Sequence, residues 1–302
     1  MRIKKRLLVA LLFLGLSASV TSEADPFGNL FLSTTSGGGS SCSYTPPLDA
    51  NAAVAAYSFR LLRTAYSGGN IVTIKRSSDN TSKTFTLTVP NCSINPSDPF
   101  FDSSTYTITT WYDQSGNGNN LTVASGGSAA TVTLNCKNSQ PCAVFNGSST
   151  KYSGTLASAV SNTTHAVVVN TNSTSYQGVA FLGSGSNETA FGFLNPTPSC
   201  IANRASSGTN YTATEACAIN TWYRTISTLN GTLSRIYVNG TQGTDVTTSG
   251  TISSLTSLTL GWDPGGFGYM SGDVAEWLLF APDLSTANSN IVTANQGSYW
   301  GI

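Results

Sequence analysis

The 302-residue chain holds one histidine, His165, and only 9% charged residues. A single imidazole cannot supply a histidine-rich zinc site, and no Cys-x-x-Cys spacing offers thiolates in its place, so neither zinc nor another cofactor is expected; calcium held by oxygen ligands stays open, although no dense Asp-x-Asp run supports it. A Ser-His-Asp hydrolase would have to use His165, and no Gly-x-Ser-x-Gly elbow accompanies it. His165 heads Ala166-Val167-Val168-Val169 and reads instead as a residue at the edge of a buried strand. Beyond residue 24 no apolar run is long enough to cross a bilayer as a helix, and none is expected to anchor the chain. There is no internal repeat.

Residues 1–24 read as a secretory signal. Arg2, Lys4, Lys5 and Arg6 precede the apolar run 7–16, and Ser22-Glu23-Ala24 offers small residues for cleavage. Its removal takes four of 14 Lys+Arg and one of 14 Asp+Glu, leaving ten against thirteen and a net charge of −3. Nucleic acid is therefore not an expected partner. Solubility must come from abundant Ser, Thr, Asn and Gly, a β-rich composition suited to a secreted protein, extracellular or periplasmic. All six cysteines follow residue 24, and an even count in an oxidising compartment favours disulfides. Cys136 and Cys142 flank the turn-like Lys-Asn-Ser-Gln-Pro, and Cys200 and Cys217 flank a polar excursion. Of the fifteen pairings possible in principle, local pairing of these two couples leaves Cys42 for Cys92.

Residues 25–41, ending in Ser-Thr-Thr-Ser-Gly-Gly-Gly-Ser-Ser, form a flexible lead-in, and one domain is expected over 42–302. Val54, Tyr57, Ser58, Leu61, Leu62 and Ala65 fall at helical spacing, which predicts a helix over 52–66 with Arg60 and Arg63 near its outer edge. Short alternating or β-branched runs follow at 71–76, 84–89, 106–110, 131–134, 143–145, 165–169, 178–182, 188–194, 223–229, 235–238, 257–260 and 273–280. Such a series without intervening helices predicts two packed antiparallel sheets. Asn230-Gly231 and Asn239-Gly240 mark hairpins. Ser285 caps a second helix in which Ile291 and Val292 face the core and Trp300 closes the chain.

The stretch Trp111-Tyr112-Asp113-Gln114-Ser115-Gly116-Asn117-Gly118-Asn119-Asn120-Leu121-Thr122 threads a carboxylate and amides through glycines. Together with Tyr57-Ser58-Phe59-Arg60-Leu61-Leu62-Arg63, Tyr66-Ser67-Gly68-Gly69 and Lys75-Arg76-Ser77-Ser78-Asp79-Asn80, it resembles the catalytic domain of glycoside hydrolase family 54, the α-L-arabinofuranosidase B enzymes. The later segments Arg235-Ile236-Tyr237-Val238-Asn239-Gly240 and Gly272-Asp273-Val274-Ala275-Glu276 look like the wider laminin G-like group. The resemblance implies an all-β, concanavalin A-like two-sheet antiparallel jelly-roll sandwich. It also implies a retaining hydrolase releasing arabinofuranosyl groups from an arabinan- or arabinoxylan-like glycan. Asn187-Glu188-Thr189-Ala190-Phe191 resembles the family's nucleophile strand, and Leu260-Gly261-Trp262-Asp263 the strand carrying its acid/base. The family's adjacent Cys-Cys pair has no counterpart here.

A retaining glycosidase holds two carboxyl groups roughly 5 Å apart, one to attack carbon and one to protonate the leaving oxygen. Glu188 follows a Gly-Ser-rich turn and precedes an aromatic strand; a solvated strand-end carboxylate explains the same position. Asp263 precedes Pro264-Gly265-Gly266-Phe267-Gly268, where aromatic surface can raise its pKa, or where it simply caps a turn. Asp113 and Asn117 are candidate sugar ligands, although ordering their own loop also accounts for them. Trp262, Phe267 and Tyr269 suggest a stacking platform, whereas Trp111 fits core packing. Asp273 and Glu276, at odd spacing on one strand, are expected on opposite faces. Two further classes remain open, a laminin G-like carbohydrate-binding or adhesion module without catalysis, and a structural surface protein. Separation of Glu188 and Asp263 by more than about 10 Å would exclude the retaining mechanism.

Overall fold

Each strand segment expected from the sequence overlaps a strand, and together they form two antiparallel layers. A computed structural model of the chain describes residues 42–302 except 185, 195–198, 251, 253 and 266–267, and two earlier segments. Those segments, Val20–Ala24 and Leu30–Thr34, pair antiparallel as a unit separate from 42–302. The rest of the expected signal and lead-in lies outside the described residues.

In one layer the strands run Tyr152–Val160, Leu255–Leu260, Gln177–Ser184, Asn187–Leu194, Ser199–Ser206 and Thr209–Ala216, each bonded to the next. In the other, Thr163–Thr171 lies between Thr221–Leu229 and Ser271–Phe280, and the latter also pairs with Ala55–Ser58 and Gln140–Asn146. Alternation sends Phe191, Phe193, Leu258 and Leu260 from the first layer and Val167, Val169, Trp277 and Leu279 from the second into one core. The outward-facing Ala166, Ile226, Leu278 and Phe280 of the second layer are covered by Val292 of the C-terminal helix Thr286–Trp300.

That helix starts as expected, with Ser285 Oγ accepting from Asn288 N at 3.3 Å, and Trp300 is fully buried. Ile291 does not face the core; it is 51% exposed, because adjacent helical residues point about 100° apart and Val292 takes the buried position. At the Asn239-Gly240 hairpin both residues have the positive φ expected of a tight turn, +51° and +90°. At Asn230 the turn is held by the side chain, whose Oδ1 accepts from Thr232 N and Leu233 N. The three disulfides are Cys42–Cys92, Cys136–Cys142 and Cys200–Cys217, the two local pairs that spacing suggested and the pair they left over. The polar excursion between the last pair is a β-hairpin.

The N-terminal helix expected over 52–66 does not form. Ala55–Ser58 is a strand, and only the 3₁₀ turns Pro47–Asp49 and Thr64–Tyr66 are helical there. Helical spacing misleads here because Ala55, Ala56, Tyr57 and Ser58 are buried on both faces, so burial has no period of 3.6. Backbone donors find partners outside the segment: Ala56 N donates to Asp113 Oδ1 and Leu62 N to Gln114 Oε1, both at 2.9 Å. Arg60 is not at an outer edge but fully buried, while Arg63 donates to Ser115 O.

His165 is likewise fully buried, not at an edge, stacked on Trp277 with ring centroids 6.0 Å apart. Its Nε2 lies 3.1 Å from Thr189 Oγ1, which accepts in turn from Thr163. Burial pushes the imidazole pKa down to about 3. An unfolded histidine takes up its proton near pH 6.5, so the unfolded chain binds one proton more than the folded chain between those limits. Stability therefore falls as pH is lowered through this window, by about 3 kcal/mol between pH 7 and 4 from this group. Urea unfolding at both pH values, against His165→Gln, should show the wild type losing that much more than the variant. Equal losses would mean that the folded protein accommodates the imidazolium.

Candidate active site

The strand Asn187–Leu194 places Thr189, Phe191 and Phe193 toward the interior, so Glu188 projects from the opposite face of its layer. It is not a solvated strand-end group, since the residue is only 2% exposed. Asn203 Nδ2, from the neighbouring strand, donates to Glu188 Oε1 at 3.1 Å.

Asp263 reaches the same face from a different direction. After Leu260 the chain turns at Gly261, whose φ of +86° and contact with Phe145 exclude a side chain: a Cβ there would lie 2.2 Å from the Phe145 ring. The turn leads into Trp262–Asp263, paired with Gly268–Tyr269. Asp263 then lies against Gly178, where a Cβ would stand 2.5 Å from both its Cβ and its backbone nitrogen. Its Oδ1 accepts from Gly265 N, so the turn-capping role is present, and the residue is 1% exposed.

The two carboxylates meet at Gly265. A methyl group built on that glycine would stand 3.0 Å from Asp263 Oδ1 and 3.5 Å from Glu188 Oε2. These oxygens are thus separated by at most the sum, 6.5 Å. The spacing falls well inside the limit of about 10 Å and fits direct attack by one carboxylate better than the wider gap, upward of about 6.5 Å, that admits a water between them.

The remaining candidates divide. Trp262 and Tyr269 are cross-strand partners with ring centroids 6.2 Å apart, and Lys151 Nζ lies 4.5 Å from the Trp262 ring. Alternation turns Trp262 to the side of its short strand opposite Asp263. Phe267 lies outside the described residues. Asp113 is not brought to the carboxylate pair. Its Oδ1 accepts from Ala56 N and Ser115 N and its Oδ2 from Ser115 Oγ and Asn119 N, which binds its loop to the strand Ala55–Ser58 in the other layer. Burial raises its pKa against the lowering effect of these bonds. Asn117 is similarly engaged, donating to Ala53 O, Val54 O and Ser115 Oγ, and it borders a separate cavity of about 140 Å³ with Asn119 and Leu156. Both residues order the loop. Trp111 is fully buried core.

Asp273 and Glu276 share a face, contrary to their odd spacing. A bulge shifts the register so that Asp273 pairs with Asn170 and Glu276 with Val168, two residues apart on one partner strand. They serve separate contacts: Asn170 Nδ2 donates to Asp273, and Arg60 pairs with Glu276. Asp273 lies near Cys136 and Cys142, whose sulfurs are bound to each other and not available as thiolate ligands. The sequence reading missed Asn203 and Gly178. Asn203 would have emerged had Ser199–Ser206 been read as a strand, whereas nothing in the sequence distinguishes Gly178 from other strand glycines.

Residues 153–288 match the Concanavalin A-like lectin/glucanases superfamily, in keeping with the two-layer antiparallel sandwich. Residues 48–148 match the family Alpha-L-arabinofuranosidase B, catalytic, so the chain resembles glycoside hydrolase family 54 within that superfamily. A GH54 α-L-arabinofuranosidase soaked with a cyclic sulfate inhibitor superposes with a TM-score of 0.67 at 19% identity. An arabinofuranosidase complexed with arabinofuranosyl-α-1,2-xylobiose gives 0.65 at 20%. Each superposition takes in 83% of this chain and 64% of the other, so this chain spans less than two-thirds of either relative. At these identities the likeness is one of fold. No curated protein matches the sequence.

Proposed function

We propose that the chain is a retaining glycoside hydrolase acting on terminal α-L-arabinofuranosyl groups, with Glu188 as nucleophile and Asp263 as acid/base. The observation that carries this reading is the approach of two buried carboxylates to within 6.5 Å across Gly265. Glu188 Oε2 attacks the anomeric carbon as the bond to the leaving oxygen breaks, and Asp263 gives that oxygen its proton. Asp263 then takes a proton from water, whose oxygen bonds to the same carbon and expels Glu188. Two inversions at one carbon return the original configuration. The glycan that carries the arabinofuranosyl groups is arabinan- or arabinoxylan-like; Trp262 and Tyr269, on the other side of their short strands from Asp263, take no part in this step. The signal-like residues 1–24 and the three disulfides support export.

The match of 153–288 to a superfamily that includes lectins favours a second reading, a carbohydrate-binding module on the same scaffold. Turnover of 4-nitrophenyl α-L-arabinofuranoside, followed by NMR for the anomer first released, separates them. Release of the α-anomer is expected. No turnover alongside arabinan binding would leave the binding module standing, and first release of the β-anomer would exclude the double displacement.

A further inference from the structure

Glu188 does not hold its orientation alone. Asn203 is fully buried on the adjacent strand, and its Nδ2 donates to Glu188 Oε1 at 3.1 Å and to Asn210 Oδ1 at 3.2 Å. Its Oδ1 accepts from Thr212 Oγ1 at 2.8 Å. The register explains this convergence: Glu188 lies opposite Ala205 and Asn203 opposite Ala190, so both side chains leave the same face of the layer. Asn203 lies opposite Thr212, and Ala205 opposite Asn210, which adds the next strand to the same face. The acceptor on Asn210 and the hydroxyl of Thr212 together fix which end of the Asn203 amide is nitrogen. A flipped amide would turn its oxygen toward the Glu188 carboxylate and its nitrogen away from Asn210.

We propose that Asn203, held by Thr212 and Asn210, is a positioning residue that selects Glu188 Oε2 as the attacking oxygen; this rests on the assignment of Glu188 as nucleophile. By engaging Oε1, Asn203 leaves Oε2 as the oxygen that approaches Gly265 and Asp263. In the glycosyl-enzyme ester Oε1 is the carbonyl oxygen. When water attacks carbon and the bond to Oε2 breaks, the bonding pair returns to the carboxylate and the Asn203 N–H takes up part of the charge at Oε1. The same donor favours the ionised form of Glu188 in the free enzyme.

The test is steady-state hydrolysis of 4-nitrophenyl α-L-arabinofuranoside across pH by the wild type, Asn203→Ala and Thr212→Val, with circular dichroism and melting of each. Asn203→Ala is expected to lower kcat by about ten- to a hundredfold, the scale of a hydrogen bond to a charged group. The acid limb of its kcat/KM profile should move to higher pH. Thr212→Val, which keeps the shape but removes the donor that fixes the amide, should move both quantities in the same direction by less. A folded Asn203→Ala enzyme with wild-type kcat and an unmoved acid limb would overturn the proposal. If that variant does not fold, an unchanged Thr212→Val profile does so. Absence of wild-type turnover is a different result, since it removes the hydrolase assignment itself.

Discussion

Glu188→Gln should lower kcat on 4-nitrophenyl α-L-arabinofuranoside by at least about a thousandfold, because the amide is a poor nucleophile and cannot form the glycosyl ester. The substitution keeps side-chain size and the acceptor for Asn203, so an unchanged melting temperature would assign the loss to chemistry. Asp263→Asn should behave differently. Nitrophenolate leaves with little help from an acid, whereas an alkyl or sugar oxygen must be protonated as it departs. The loss for Asp263→Asn is therefore expected to be much larger on an alkyl arabinofuranoside than on the nitrophenyl compound in the glycosylation step, read as kcat/KM. Equal losses on both substrates would remove Asp263 from the acid role. Retention of more than about a tenth of wild-type kcat in Glu188→Gln would remove Glu188 from the nucleophile role.

Glu276→Ala is expected to destabilise the fold by about 3–5 kcal/mol, measured by urea unfolding at neutral pH. Arg60 and Glu276 are both fully buried and joined by two hydrogen bonds, Nε to Oε2 at 2.7 Å and Nη2 to Oε1 at 3.0 Å. Ser58 Oγ, Gln296 Nε2 and Trp300 Nε1 also donate to the carboxylate, while the guanidinium lies 4.3 Å from the centroid of the Tyr299 ring and 5.1 Å from that of Tyr44. Removing Glu276 leaves a buried cation without its anion and three donors without their acceptor. The double variant Arg60→Met/Glu276→Leu should recover much of the loss, because an apolar pair of similar volume has no charge to desolvate. A cost below about 1 kcal/mol for Glu276→Ala, or no recovery in the double variant, would show that the pair does not carry this burden.

This network also shows where sequence periodicity ceases to inform. Arg60 is polar and spaced like an outward helical residue, yet its position follows from Glu276, more than two hundred residues later, and from aromatic rings at both ends of the domain. The reading of Asp273 and Glu276 failed for a related reason: a bulge adds a residue to one strand only, and its cost is judged against the partner strand. By contrast, the Asn239-Gly240 turn, the Ser285 cap and the alternation of 223–229 and 188–194 depend on neighbours within a few residues, and each was legible. Asp113 lies between these cases. Its Asx-type bonds to Ser115 and Asn119 are local, but its bond to Ala56 N could be recognised only once 55–58 was known to be a strand.

The sequence by itself determined a β-rich chain, the local Cys136–Cys142 bridge and a family-like loop at Trp111–Thr122, because strand alternation, close cysteine spacing and turn chemistry are short-range constraints. It also supplied the two candidate acids. Only the tertiary structure decided that Glu188 and Asp263 meet. Their approach requires a left-handed turn at Gly261, room for Asp263 against Gly178, and a strand register that aims Asn203 at Glu188. None of these contacts has a spacing along the chain that could announce it.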